Sequence, residues 1–112
     1  MYAIIWKFAV KPGFEREFEE AYGPGGAWVE LFRRGHGYRE TELLRDAKAP
    51  GNYLTIDRWD SKAAYDSFRS RFEAAYSAID QRCEGLTESE TEVGTFEEPA
   101  PDPFEQAARH DE

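Results

Sequence analysis

Tyr53-Leu54-Thr55-Ile56-Asp57-Arg58-Trp59-Asp60-Ser61-Lys62-Ala63-Ala64-Tyr65 changes its period part-way along. Up to Trp59 the side chains alternate. Tyr53, Thr55, Asp57 and Trp59 fall on one face and Leu54 and Ile56 on the other, the period of two that a pleated strand imposes. Asp60-Ser61 then supplies an N-cap. After it Ala64, Tyr65, Phe68, Phe72, Ala75, Tyr76, Ile79, Cys83 and Leu86 keep a spacing of three and four, which predicts one long helix with Gly85 as its C-terminal stop. Upstream, Asp46 to Asn52 is rich in turn residues, and Tyr38 to Arg45 reads as a strand, so the pair predicts a hairpin. Gly35-His36-Gly37 reads as a turn.

Further out, Phe14, Phe18, Ala21 and Tyr22 mark an amphipathic helix that ends at Gly23-Pro24-Gly25-Gly26, and Ala27, Trp28, Leu31 and Phe32 form one more short helical face. Tyr2 to Val10 alternates as a strand and is broken by Lys11-Pro12-Gly13. Thr87 to Phe96 is rich in β-formers but acidic, which suits an edge strand. The order β-α-(short α)-β-β-α-β predicts an α+β, ferredoxin-like βαββαβ fold: a four-stranded antiparallel sheet with both main helices on one face.

The 112 residues suit one domain. The 17 aromatics argue against disorder. A lone cysteine, Cys83, excludes an internal disulfide framework and a Cys-based zinc site. The net charge of −9 sets the field against nucleic acid or an anionic membrane as partner. No apolar run reaches the ~20 residues of a membrane span, and Met1-Tyr2-Ala3-Ile4 lacks a basic leader, so a cytoplasmic location is expected. Residues 1–96 are expected to form the domain. Residues 97–112, with six acids and one base around Pro99, Pro101 and Pro103, read as a solvated tail or as a docking arm anchored by Phe104.

The first strand is apolar on both faces: Ile4, Trp6 and Phe8 on one, Ala3, Ile5 and Ala9 on the other. The chain has too few helices to cover both. About 400 Å² of wet apolar sheet forgoes roughly 10 kcal/mol at ~25 cal/mol per Å², so a second copy packed sheet to sheet is expected. The alternative is a monomer whose open face is solvated by Lys7, Arg39, Thr41 and Arg58.

On this element order, the Lys11-Pro12-Gly13 exit and the Tyr53–Tyr65 run, the chain resembles the antibiotic biosynthesis monooxygenase family over roughly residues 1–96. The resemblance implies a homodimer forming a dimeric α/β barrel, with a pocket between sheet and helices in each subunit. In the quinone-forming, cofactor-free branch, a strand-end tryptophan works with a tyrosine six positions later and an asparagine four positions earlier. Trp59 and Tyr65 match that pattern, and Thr55 stands where the asparagine would be. The haem-degrading branch needs a histidine ten positions after the tryptophan and an asparagine in the first strand. Arg69 and about Trp6 stand there, and a guanidinium has no lone pair for iron, which argues against haem degradation.

Cofactor-free oxygenation needs an apolar cavity, a base and donors near the substrate anion. Trp6, Trp28, Trp59 and Tyr76 are expected to wall a flat substrate, with Tyr65 and Thr55 as donors. His36 and Asp57 are the two candidate bases, Asp57 because burial on the Thr55 and Trp59 face raises its pKa. The catalytic candidates are therefore Trp59, Tyr65, His36 and Asp57, and the substrate-binding candidates Trp6, Trp28, Thr55 and Tyr76. Neither a metal nor a cofactor is expected, since His36 and His110 are the only histidines and no phosphate loop is present. The expected function is a cofactor-independent monooxygenase acting on a flat phenolic or polyketide-type molecule. The alternative is a non-catalytic dimer of the same fold that binds a hydrophobic small molecule or serves as a scaffold.

Overall fold

An uninterrupted strand of nine residues, β1 (Tyr2–Val10), forms the middle of the molecule because it is apolar enough to be flanked on both edges and packed on its even-numbered face. The computed structural model describes residues 1–99. After β1 come α1 (Glu15–Tyr22), α2 (Ala27–Phe32), β2 (Tyr38–Arg45), β3 (Asn52–Trp59), α3 (Lys62–Arg71), α4 (Glu73–Cys83), a 3-10 turn (Glu84–Leu86) and β4 (Thr87–Glu97). The sheet order is β2-β3-β1-β4, antiparallel throughout, so the fold is the expected ferredoxin-like α+β arrangement and β4 is an edge. Residues 100–112, with Phe104 and most of the expected tail, lie outside the described residues.

Cross-strand register decides which face each side chain takes. Tyr2 pairs with Trp59, Ile4 with Asp57, Trp6 with Thr55 and Phe8 with Tyr53, so these eight share the helix-covered face. The β2–β3 hairpin turns where Asp46 Oδ1 accepts from the Lys48 and Ala49 amides at 2.9 and 3.2 Å. A bulge in β2 shifts the register between Tyr38 and Glu40 and places Thr41 opposite Asp57. Thr41 is therefore under the helices and not on the open face as expected. Arg39 at the bulge pairs with Asp60 at 2.7 Å.

The long helix expected from Ala64 to Leu86 is two helices. Ser61 caps α3 by accepting from the Ala64 amide at 3.0 Å, but at Phe72 the backbone leaves helical geometry (φ −114°, ψ 26°). The ladder survives the bend, since Phe72 N–H donates to the Phe68 carbonyl and Tyr76 N–H to the Phe72 carbonyl, each at 2.9 Å. Phe72 is held between Phe68, 5.5 Å away, and the Arg34 guanidinium, 4.9 Å from its ring. Tertiary packing makes this bend, with neither Pro nor Gly to mark it. It sets Tyr65 and Phe68 against Trp59 and Tyr76 against Trp28. Gly85, expected as the stop, sits inside the 3-10 turn that follows α4.

The Gly35-His36-Gly37 turn is closed down onto the core. A Cβ on Gly35 would lie 2.7 Å from Phe68 Cδ1 and 2.9 Å from Trp59 Cζ3. Gly37 takes φ +90°, and its Cβ would meet that of Ala64 at 2.8 Å. Gly35→Ala is expected to cost about 1–3 kcal/mol, because the rings it meets are already packed. A lowered urea midpoint with an unchanged slope is the expected readout, and an unmoved midpoint would contradict the close approach.

Candidate functional site

Two aromatic clusters flank the middle of the sheet. Phe18 stacks on Tyr22 at 4.2 Å and meets Phe8 at 5.2 Å and Tyr53 at 4.8 Å. At the other end Trp59 is enclosed by Phe68 (4.9 Å), Tyr38 (5.3 Å), Tyr65 (5.5 Å) and Phe32 (5.9 Å). Between them the packing opens into a cavity of about 250 Å³. Trp6, Phe8, Thr41, Thr55 and Asp57 form its sheet side. Tyr22, Trp28, Phe32, Arg69 and Tyr76 approach from the helices, and Asp80 and Glu90 complete the lining. The volume lies just below the range of small-molecule sites, roughly 300–1,000 Å³.

Asp57 is the acid on the sheet side of this cavity. Its carboxyl is pushed up to about 6, first by burial, with the Thr41 hydrogen bond pulling the other way. Thr41 Oγ1 donates to Asp57 Oδ1 at 2.7 Å and lies 2.8 Å from the Tyr38 hydroxyl. A threonine hydroxyl has one proton, so when Thr41 gives it to the carboxylate, Tyr38 is the donor in the second bond. Tyr38→Thr41→Asp57 is thus a directed chain ending on one carboxylate oxygen. Among the described residues no donor reaches Oδ2.

Arg69 is the cation of the site. It donates to the Tyr65 hydroxyl at 3.1 Å and its guanidinium lies 3.7 Å over the Tyr76 ring. Burial pulls its pKa down, but Tyr65, Tyr76 and the charge of Glu73 outweigh that and leave it raised, so it stays charged. Its Nε is buried without a partner, as is Trp28 Nε1. Burial pushes the Tyr76 and Tyr22 hydroxyls well up, which keeps both neutral. Burial and then the charge of Asp80 push Glu90 above the ordinary carboxylate value.

Of the residues expected from sequence, Asp57, Thr55, Trp6, Trp28 and Tyr76 line the cavity together. Trp59, Tyr65 and His36 do not. Trp59 is fully buried one residue pair beyond Asp57, where Gly35 and four aromatic rings surround it, and its Nε1 has no partner. Tyr65 reaches the site only through Arg69. His36 is exposed at the tip of its turn. Asp57 bonds Thr41.

Sequence reasoning missed Arg69, Thr41, Asp80 and Glu90 as lining groups. Tyr65, Arg69, Tyr76 and Asp80 are spaced by four, seven and four, one helical face that carried the signal. Glu90 is an exposed acid of the edge strand, and its register opposite Phe8 puts it on the helix side of the sheet, where it borders the cavity.

The family model described as antibiotic biosynthesis monooxygenase matches residues 1–78, which include the floor strands β1, β2 and β3 and the Arg69 turn of α3. The chain belongs to this family. Among solved structures it is similar to SnoaB, a cofactor-independent oxygenase from Streptomyces nogalater. The TM-score is 0.72 at 19% identity, covering 91% of this chain and 96% of that one. PA3566 from Pseudomonas aeruginosa is similar at TM-score 0.67 and 17% identity, covering 88% and 94%. A NIPSNAP domain protein from Burkholderia xenovorans is similar at 0.66 and 17%, covering 92% and 99%. At these identities the likeness is one of fold. No curated protein matches the chain. Asp80 and Glu90 lie beyond the residues that the family model matches. Among the described residues no helix is long and apolar enough to cross a membrane.

Proposed function

We propose that the protein is a cofactor-independent monooxygenase that oxidises a flat phenolic or polyketide-type molecule of two or three fused rings in this cavity. The observation that carries the proposal is Asp57, a carboxylate poised near neutrality inside an aromatic chamber with one oxygen unengaged. Family membership and the likeness to a cofactor-independent oxygenase support the same chemistry.

The step balances with molecular oxygen as the co-reactant. Asp57 takes the acidic proton of a ring CH2 or its enol tautomer, and the resulting carbanion or enolate gives an electron to O2. Radical and superoxide combine into a C–O bond, and the peroxide takes back the proton. Loss of water, with the remaining hydrogen of that carbon, leaves a ketone. One oxygen atom stays in the product and the other leaves as water. Trp6, Trp28 and Tyr76 hold the rings flat and exclude water, which strengthens each polar contact. Thr55 borders the same floor as a donor. Oxygen uptake with a panel of anthrones and hydroquinones tests the proposal. Turnover without added cofactor is expected, and its absence across the panel contradicts it.

The Thr41 bond favours the charged carboxylate, so Thr41→Val is expected to raise the Asp57 pKa above its present value of about 6. The acidic limb of the pH–rate profile then moves to higher pH by about one unit, and Thr41→Ser restores it. An unmoved limb in Thr41→Val contradicts Asp57 as the titrating base.

A second reading, a non-catalytic binding or scaffold dimer, is favoured by one feature: Trp59 and Tyr65, which match the oxygenase pattern, are packed away from the cavity. A ligand that co-purifies and is recovered chemically unchanged supports it.

The proposed state is a homodimer built on the uncovered sheet face. There Ile5 pairs with Ile56, Leu54 with Leu44 and Ala3 with Phe96, and Leu44 and Phe96 are 46% and 49% exposed. Lys7 lies on that face, and Arg58 is paired there with Glu40 and Glu42. Light scattering is expected to give twice the chain mass of 12.9 kDa, and a particle of one chain mass would remove the dimer.

A further inference from the structure

Arg69 is a cation held in an apolar chamber with part of its hydrogen-bonding capacity unspent. Stacking on Tyr76 and the bond to Tyr65 fix the plane of its guanidinium. Among the described residues no carboxylate pairs with it, although three acids line the same cavity. Its Nε–H is buried and unpartnered, and leaving a charged donor so is costly. Arg69 and Asp57 both line the cavity, and no ion pair joins them. A base and a fixed cation therefore border one aromatic space.

We propose that Arg69 is the oxyanion anchor of this cavity, binding with the guanidinium N–H donors that Tyr65 does not engage the negatively charged oxygen of an ionised hydroxyaromatic ligand. The inference deepens the proposed function, on which it rests, by adding a requirement on the ligand: an acidic ring hydroxyl whose anion is held by the guanidinium. Planar donor geometry suits Arg to this role better than the point charge of Lys. Tyr65, out of the cavity itself, is a positioning residue for Arg69.

The test uses two probes that have no CH2 to oxygenate, 2-hydroxyanthraquinone, whose hydroxyl is not chelated by the quinone carbonyl, and its methyl ether, so binding is read separately from turnover. Their affinities for the full chain are measured by tryptophan-fluorescence quenching for wild type, Arg69→Met and Arg69→Lys. Wild type is expected to prefer the hydroxy probe about tenfold, equivalent to ~1.4 kcal/mol, and to shift its visible absorption to the phenolate band at pH 7. Arg69→Met is expected to lose both the preference and the band while still binding the methyl ether. Arg69→Lys is expected to keep part of each.

A wild-type protein without the preference overturns the anchor whether or not the variants fold, and so does an Arg69→Met protein that keeps it. If the anthrone panel gives no turnover while Arg69 still governs the preference, the oxygenation reading falls and the anchor stands. If turnover occurs but Arg69→Met changes neither preference nor band, the anchor falls alone.

Discussion

Asp57→Asn is expected to lower turnover at least a hundredfold, roughly the low end of what a positioned general base contributes, while leaving the protein as stable at neutral pH or more so. Asparagine keeps the size of the side chain, and its amide oxygen still accepts from Thr41. It has no basic oxygen for the substrate proton. The stability half follows from linkage. An acid whose pKa in the fold is about 6, above its unfolded value, binds more protons folded than unfolded between those two values. Its contribution to stability is present at low pH and lost as pH rises through about 6. At pH 7 the buried carboxylate is charged and works against folding, so the neutral amide relieves it. Thermal unfolding of both proteins across pH 4–8 checks this, with the wild-type curve expected to fall relative to the variant as pH rises. A variant that is inactive and also markedly less stable at pH 7 would place Asp57 in the packing and not in the chemistry.

Trp59→Ala is expected to abolish the folded state or nearly so. The indole is wholly buried, and rings from α2, β2 and α3 close on it, while Gly35 lacks a side chain to make room for it. Truncating such a residue costs about 3–5 kcal/mol, a large part of the roughly 5–15 kcal/mol that a domain has. Trp59→Phe separates packing from chemistry. It keeps an aromatic ring in place and sacrifices no hydrogen bond, since the indole N–H has no partner. It is expected to be less stable than wild type yet to turn over substrate within severalfold of it. A Trp59→Phe protein that is folded and as inactive as Asp57→Asn would assign the indole a part in the reaction.

The fold was readable because β1 and β3 pair without a register shift, and a regular strand carries its face assignment in its own sequence. That is why Thr55, Asp57 and Trp59 fall on one face in the sequence alone, and the register adds Trp6 opposite Thr55. Thr41 could not be placed that way. Counting by twos from Tyr38 puts Thr41 on the opposite face, and only the bulge at Arg39 brings the two hydroxyls together beneath the helices. No local residue announces that bulge. The break at Phe72 escaped for a similar reason: the helical stripe runs through it unchanged, and the bend is made by what Phe72 packs on. Arg69 was visible on the Tyr65 and Tyr76 face, but a charge on an apolar stripe acquires meaning only once the cavity it borders is seen. Trp59 is the opposite case. Its spacing to Tyr65 is that of a reactive pair, and the fold buries it outside the cavity lining.

Incubating the purified protein with an anthrone under 18O2, with no cofactor added, and weighing the product tests the central claim most directly. One labelled oxygen atom in a ketone product, formed by wild type and not by Asp57→Asn, is the predicted result. Recovery of unchanged anthrone, or of product formed at the rate seen without protein, would contradict it.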